Sequence, residues 1–197
     1  MRTVGITLIA LVCGFAGVAH AGSKVVVKTT TYPITGNSGP EIMRSMFRGG
    51  PTQGLQARAM AATRYDVKWD MNWDKNGGTC KLKGANATLF LTYNFPKLST
   101  KVSPDLQSRW TKFMGGVRTH EQTHGRIAQE MVKAAEASVV GMTNDNDPGC
   151  SKTQSQARRQ IQSIYAQYEA RQRAFDAKEH QHGGNVDNLV SLLVNRG

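Results

Sequence analysis

The chain has 197 residues, with 25 basic and 14 acidic side chains for a formal charge of +11, and three cysteines. Beyond the first 21 residues nothing approaches the roughly 20 apolar residues that a membrane-spanning helix needs. The basic residues are dispersed and form no recognisable nucleic-acid motif, which speaks against a specific nucleic-acid partner.

The N-terminus sets the expected compartment. Arg2, the apolar run VGITLIALVCGFAGVA and Ala19-His20-Ala21 read as a secretory signal peptide over 1–21, cleaved near Ala21. A retained N-terminal anchor is the alternative. The reading leaves a single domain over 22–197, exported to the periplasm or the medium, with length enough for a real core. Cys13 leaves with the signal, and Cys80 and Cys150 are expected to pair, as two cysteines of an exported protein commonly do. The bridge would close a loop of about 70 residues, worth roughly 4 kcal/mol in the chain-entropy account. Loss of Arg2 leaves +10, a charge that favours anionic envelope polymers, lipid head groups or acidic substrates.

KVVVKTTTYPI (24–34) is rich in β-branched residues and predicts a strand. SGPEIMRSMFRGGP (38–51) predicts a short helix, with Pro40 in its first turn and Gly49-Gly50-Pro51 ending it. Residues 52–63 read as a loop or short helix. In RYDVKWDMNW (64–73), Tyr65, Val67, Trp69, Met71 and Trp73 alternate with polar residues, the pattern of a half-buried strand. Asn76-Gly77 is a favoured hairpin turn, and TCKLK and ATLFLTYN, separated by Gly84, predict two more strands.

Ser103, Pro104 and Asp105 make the start of a long helix running to about 142, with Gly115-Gly116 as a kink or break. A second helix follows over about 151–181, carrying the apolar stripe Ile161, Ile164, Tyr165, Tyr168 and Phe175. The expected fold class is α+β: a small antiparallel sheet of three or four strands, followed by a half built from two long helices. Asn86-Ala87-Thr88 fits a glycosylation sequon, to which a bacterial-looking exported chain gives little use.

The chemistry concentrates in RTHEQTHGR (118–126). Phe113, Val117, His120, His124, Ile127 and Met131 recur at steps of three and four, so both histidines fall on the inward stripe, with Glu121 at its border. The bland reading is a pair of buried, hydrogen-bonded histidines. Two inward imidazoles beside a carboxylate need strong partners, however, and a divalent metal takes both from one helix face. Zinc with one open position lowers the pKa of water toward about 7. Glu121 is placed to take that water's proton and pass it to a leaving amine, so the pattern names metal-assisted hydrolysis, most often of peptide bonds.

The third ligand is open. Position 127 is Ile rather than Gly, so Glu130 turns away from the histidine face. FDAKEHQHGG (175–184) offers His180 and His182. Ile161, Tyr168, Phe175 and His182 are seven apart, which puts His182 on the stripe. In a simple hairpin of the two helices, however, residues 170–174 lie level with His124, and His182 lies about 12–18 Å too far along. Asp176 and Glu169 are the alternatives, either as ligands or as partners of a ligating histidine.

These segments resemble a bacterial family called domain of unknown function 922, described as predicted secreted zinc-dependent proteases. TYPITGNSGPEIMRSMFRGGP is similar to its N-terminal segment, TRYDVKWDMNW with Cys80 to its Thr-x-Trp/Tyr strand and cysteine, HEQTH to its central HExxH, and FDAKEHQHG to its closing element. The resemblance implies a zincin-like domain with one Zn2+ held by His120, His124 and His182 and with Glu121 as catalytic base, acting on peptide or protein substrates. An edge strand at 87–94 would hold the peptide by backbone pairing. Two other readings stand beside it: a non-catalytic, metal-stabilised cationic protein of the envelope, and a metal-free interaction module.

Overall fold

The computed structural model describes residues 23–53 and 57–194. Along the chain run β1 (Lys24–Ile34), α1 (Gly39–Gly49), β2 (Thr52–Gln53), β3 (Ala57–Arg58), β4 (Ala62–Asn76), β5 (Thr79–Leu98), α2 (Pro104–Val139), β6 (Thr143–Asn144), α3 (Ser151–His180) and α4 (Asn185–Val194). The predicted signal peptide lies outside the described residues. No described helix is long and apolar enough to cross a membrane.

The fold is α+β, with a small mixed sheet followed by helices. β5 is its centre, with β4 antiparallel on one side, β1 parallel on the other and β6 pairing the start of β5. An all-antiparallel sheet was expected, and β1 departs from it. Composition marks β1 as a strand but says nothing of its direction. That direction is set by α1 and the β2–β3 hairpin, which carry the chain from one side of β5 to the other. The same arrangement corrects the proposed substrate edge: 87–94 is the middle of the sheet, paired on both sides.

TCKLK and ATLFLTYN are one 20-residue strand rather than two. The register shifts between Asn72 and Trp73, opposite Gly84 and Leu82. The extra residue, Lys83, returns the strand to phase, so that Leu82 on one side and Ala85, Ala87, Leu89 and Leu91 on the other all point inward. These residues pack under Ala128, Met131, Val132, Ala135 and Val139 of α2 and under Ala157 and Ile161 of α3. On β4 the anticipated alternation holds: Tyr65, Val67 and Trp69 pack on this core, while Asp66, Lys68 and Asp70 are exposed.

α2 begins as its sequence dictates, the Ser103 hydroxyl accepting from the Leu106 N–H at 3.3 Å, with Pro104 in the first turn. It then runs 36 residues without a break at Gly115-Gly116. Gly116 serves another purpose, because a Cβ there would stand 2.3 Å from Leu189 of α4. Gly183, at φ 75°, lies just beyond the end of α3, where the chain turns back so that α4 packs on α2 and α1. α4 was not foreseen as an element. The Cys80–Cys150 disulfide forms as expected, tying the start of β5 to the N-terminus of α3, with both residues fully buried.

Candidate functional site

α2 and α3 lie antiparallel, and their facing residues form the site. His120 and His124, one turn apart, are 9% and 14% exposed, with their Nε2 atoms 3.2 Å from each other. Asp176 of α3 places Oδ1 2.8 Å from His124 Nε2 and 3.3 Å from His120 Nε2. His180, one turn further, offers a ring nitrogen, so that one ligand atom each from His120, Asp176 and His180 falls within 4.8 Å of the others. The Phe175 ring stacks on His120 at 4.9 Å and meets His124 edge-on at 5.1 Å.

Hydrogen bonds fix which nitrogens face inward. The Gln172 amide N–H donates to the His124 backbone oxygen at 3.1 Å, which turns its Oε1 to His124 Nδ1 at 2.5 Å. That oxygen accepts only, so Nδ1 carries a proton; Nε2 donates to Asp176 when the ring is charged and presents a lone pair only when the ring is neutral. His120 Nδ1 is buried without a hydrogen bond, and the nearest carboxylate oxygen is that of Glu179 at 3.7 Å. Burial works against ionisation of Asp176. Its hydrogen bonds with His120 and His124 outweigh that and hold the carboxyl well below the usual carboxylate range. For His124, burial opposes the charge, but the bonds to Asp176 and Gln172 and the Asp176 and Glu121 charges raise its pKa.

Glu121 is 6% exposed and fixed from the sheet: the Thr63 hydroxyl of β4 lies 2.7 Å from its Oε2 and 3.0 Å from its backbone oxygen. Gly125 admits the Tyr93 hydroxyl, which a Cβ would meet at 2.0 Å. Burial first, and then the Glu121 charge, raise the Tyr93 pKa.

The site opens into a cavity of about 890 Å³. Its floor is α2, one wall is the segment from Arg58 to Tyr65 and the other is α3, with α1 and α4 closing one end. β4 has no strand partner on its outer edge among the described residues, and Thr63 and Tyr65 at its start line the cavity.

His120, Glu121, His124, Asp176 and His180 thus come together as the motif and its closing segment suggest. His182 does not join them. Its side chain is fully exposed and its Nδ1 lies 3.6 Å from Asp187. The heptad stripe stops with α3 at His180, two residues earlier. Glu169 lines the cavity, while Glu130 pairs with Arg171 outside it. Sequence reasoning missed Gln172, Glu179 and Thr63. The first two share a helix row with Asp176 and His180, at steps of three and four, and a search of that polar row would have found them.

The arrangement is a two-helix histidine and carboxylate cluster at the floor of a cleft, with a buried glutamate beside it. The chain belongs to the family described as bacterial proteins of unknown function (DUF922), which matches residues 29–183. No curated protein and no solved structure matches it.

Proposed function

We propose that this protein is an exported zinc-dependent peptidase, with His120, His124 and Asp176 holding the metal and Glu121 acting as base. One observation carries the reading. The only N–H of a neutral His124 is spent on Gln172, so its Nε2 and the Asp176 carboxylate converge as acceptors beside His120 Nε2. Atoms so close need a proton or a metal ion between them, and a metal ion takes all three at once. Zinc bonds of about 2.0–2.1 Å in a tetrahedron separate ligand atoms by about 3.3 Å, and the separations here are 2.8, 3.2 and 3.3 Å, so the donor set fits.

Bound there, zinc supplies a Lewis acid that polarises a peptide carbonyl and acidifies water. The chain does the rest. Glu121, held by Thr63, takes the proton of the attacking water and returns it to the leaving amine. Gln172 keeps His124 in the tautomer that can ligate. The outer edge of β4, in place of 87–94, aligns an extended peptide over the floor. The disulfide suits an oxidising compartment, which supports export. The +11 charge suits acidic substrates or anionic envelope polymers around it.

His180 favours a second reading. As a fourth ligand it would close the site and make the metal structural, as in a non-catalytic envelope protein. Zinc analysis of purified protein, followed by digestion of an unfolded protein with and without chelator, separates the two. The peptidase reading expects about one zinc per chain and chelator-sensitive cleavage. The structural reading expects zinc, lower thermal stability on chelation and no cleavage. Absence of zinc sinks both.

A further inference from the structure

Polarity changes along the cavity. Beyond His124 its walls carry Tyr65, Glu169 and Arg173, whereas beyond His120 they carry Met43 and Phe47 of α1, Met60, Val117 of α2, and Val186 and Val190 of α4, with Arg58 and Asp187 as the charged members. The second end is mostly apolar and belongs to the same cavity as the histidine and carboxylate cluster. Phe47 is 53% exposed there, although a helix could turn an aromatic of that size into the core. Its helix already seals the core with Ile42 and Met46, both fully buried.

This end is built to stay open in one shape. α4 is pressed against its neighbours at two glycines: a Cβ on Gly39 would lie 2.0 Å from the Leu193 carbonyl oxygen, and one on Gly116 2.3 Å from Leu189. Arg109 of α2 also donates to the Leu193 carbonyl at 2.6 Å. Three helices are thereby fixed around the apolar walls, and a preformed apolar recess binds without the cost of ordering its own walls.

Resting on the peptidase reading, we infer that this recess is the specificity subsite and that it takes one large aliphatic or aromatic side chain of the substrate, next to the bond that is cleaved. The occupant is a side chain of an extended peptide, because β4 is an edge strand whose start lines the same cavity, together with Thr63, Glu121 and the cluster. Alanine at that position leaves the recess empty, and an acidic side chain gives up water for mostly apolar walls.

The test uses the zinc-loaded protein and a series of quenched fluorogenic peptides that differ at a single position, Phe, Leu, Ala or Asp. The wild type is expected to favour Phe and Leu over Ala by about 10–100-fold in kcat/KM. Phe47→Ala and Val190→Ala should each reduce that ratio several-fold while zinc content stays level. Cleavage with no apolar preference, or a preference that both variants keep, overturns the proposal. Binding of the same peptides to Glu121→Gln, read by fluorescence anisotropy, separates the two claims. Tighter binding of Phe and Leu peptides without cleavage by wild type would keep the recess and reject the peptidase. Equal binding of all four would reject the recess.

Discussion

Gln172 grips His124 at both ends of its amide, accepting from the ring at 2.5 Å and donating to the backbone oxygen at 3.1 Å. An outer partner of this kind sets both the tautomer and the aim of a ligating ring, and losing one commonly costs 10–100-fold in metal affinity. Gln172→Ala is therefore expected to weaken zinc binding by about that factor in a competition titration with a chromogenic chelator. Gln172→Glu keeps the acceptor and should recover most of the loss. Equal affinity in all three proteins would mean that the clamp has no part in holding metal.

Thr63 reaches across from the sheet to Glu121. In Thr63→Val the shape is kept and the donor is lost, leaving the carboxylate free to swing from the water that the proposed mechanism has it deprotonate. The expected result is a fall in kcat of about tenfold, the value of one hydrogen bond to a charged group, with KM and zinc content little changed. Thr63→Ser should restore the rate. A change confined to KM would place Thr63 on the substrate instead of the base.

Gly39 meets a backbone carbonyl rather than a flexible side chain, so an added methyl has nothing soft to displace. Gly39→Ala should lower stability by about 1–3 kcal/mol despite the better helix propensity of alanine, through displacement of α4. Chemical denaturation measures this directly. A stability equal to or above wild type would show that α4 adjusts freely.

Asp147 governs behaviour in acid. It is 3% exposed and accepts from the Thr153 N–H at 2.9 Å, the Thr153 hydroxyl at 2.7 Å and the Lys152 N–H at 3.2 Å, holding the start of α3. Burial opposes its ionisation, but these hydrogen bonds and the Lys152 charge prevail and lower its pKa. A depressed folded pKa stabilises above the unfolded value of 3.8 and loses that contribution as pH falls below it. Wild-type thermal stability should exceed that of Asp147→Asn at neutral pH, and the gap should narrow below about pH 4. A gap that is constant with pH would mean that the charge of Asp147 is immaterial.

How far the sequence carried can be seen in particular elements. The alternation of 65–73 and the Ser103-Pro104-Asp105 start were legible because each depends on neighbours a few residues away. The direction of β1 and the existence of α4 were not, since both depend on contacts such as Leu189 over Gly116 that no local pattern records. At the site, HEQTH declared itself through helical spacing. Whether Asp176 or His182 comes to the two histidines depends on something else: how far along α2 the antiparallel α3 reaches. The simple hairpin geometry, which disfavoured His182 on length alone, is the one the protein adopts.

The central claim is that Glu121 is the base of a metal-dependent hydrolysis, and the most direct measurement is digestion of an unfolded protein by zinc-loaded wild type and Glu121→Gln side by side. The account predicts cleavage by wild type that chelator abolishes, and a loss of about 100-fold or more in Glu121→Gln at unchanged zinc content. Equal cleavage by the two proteins, or none by a fully zinc-loaded wild type, would contradict it.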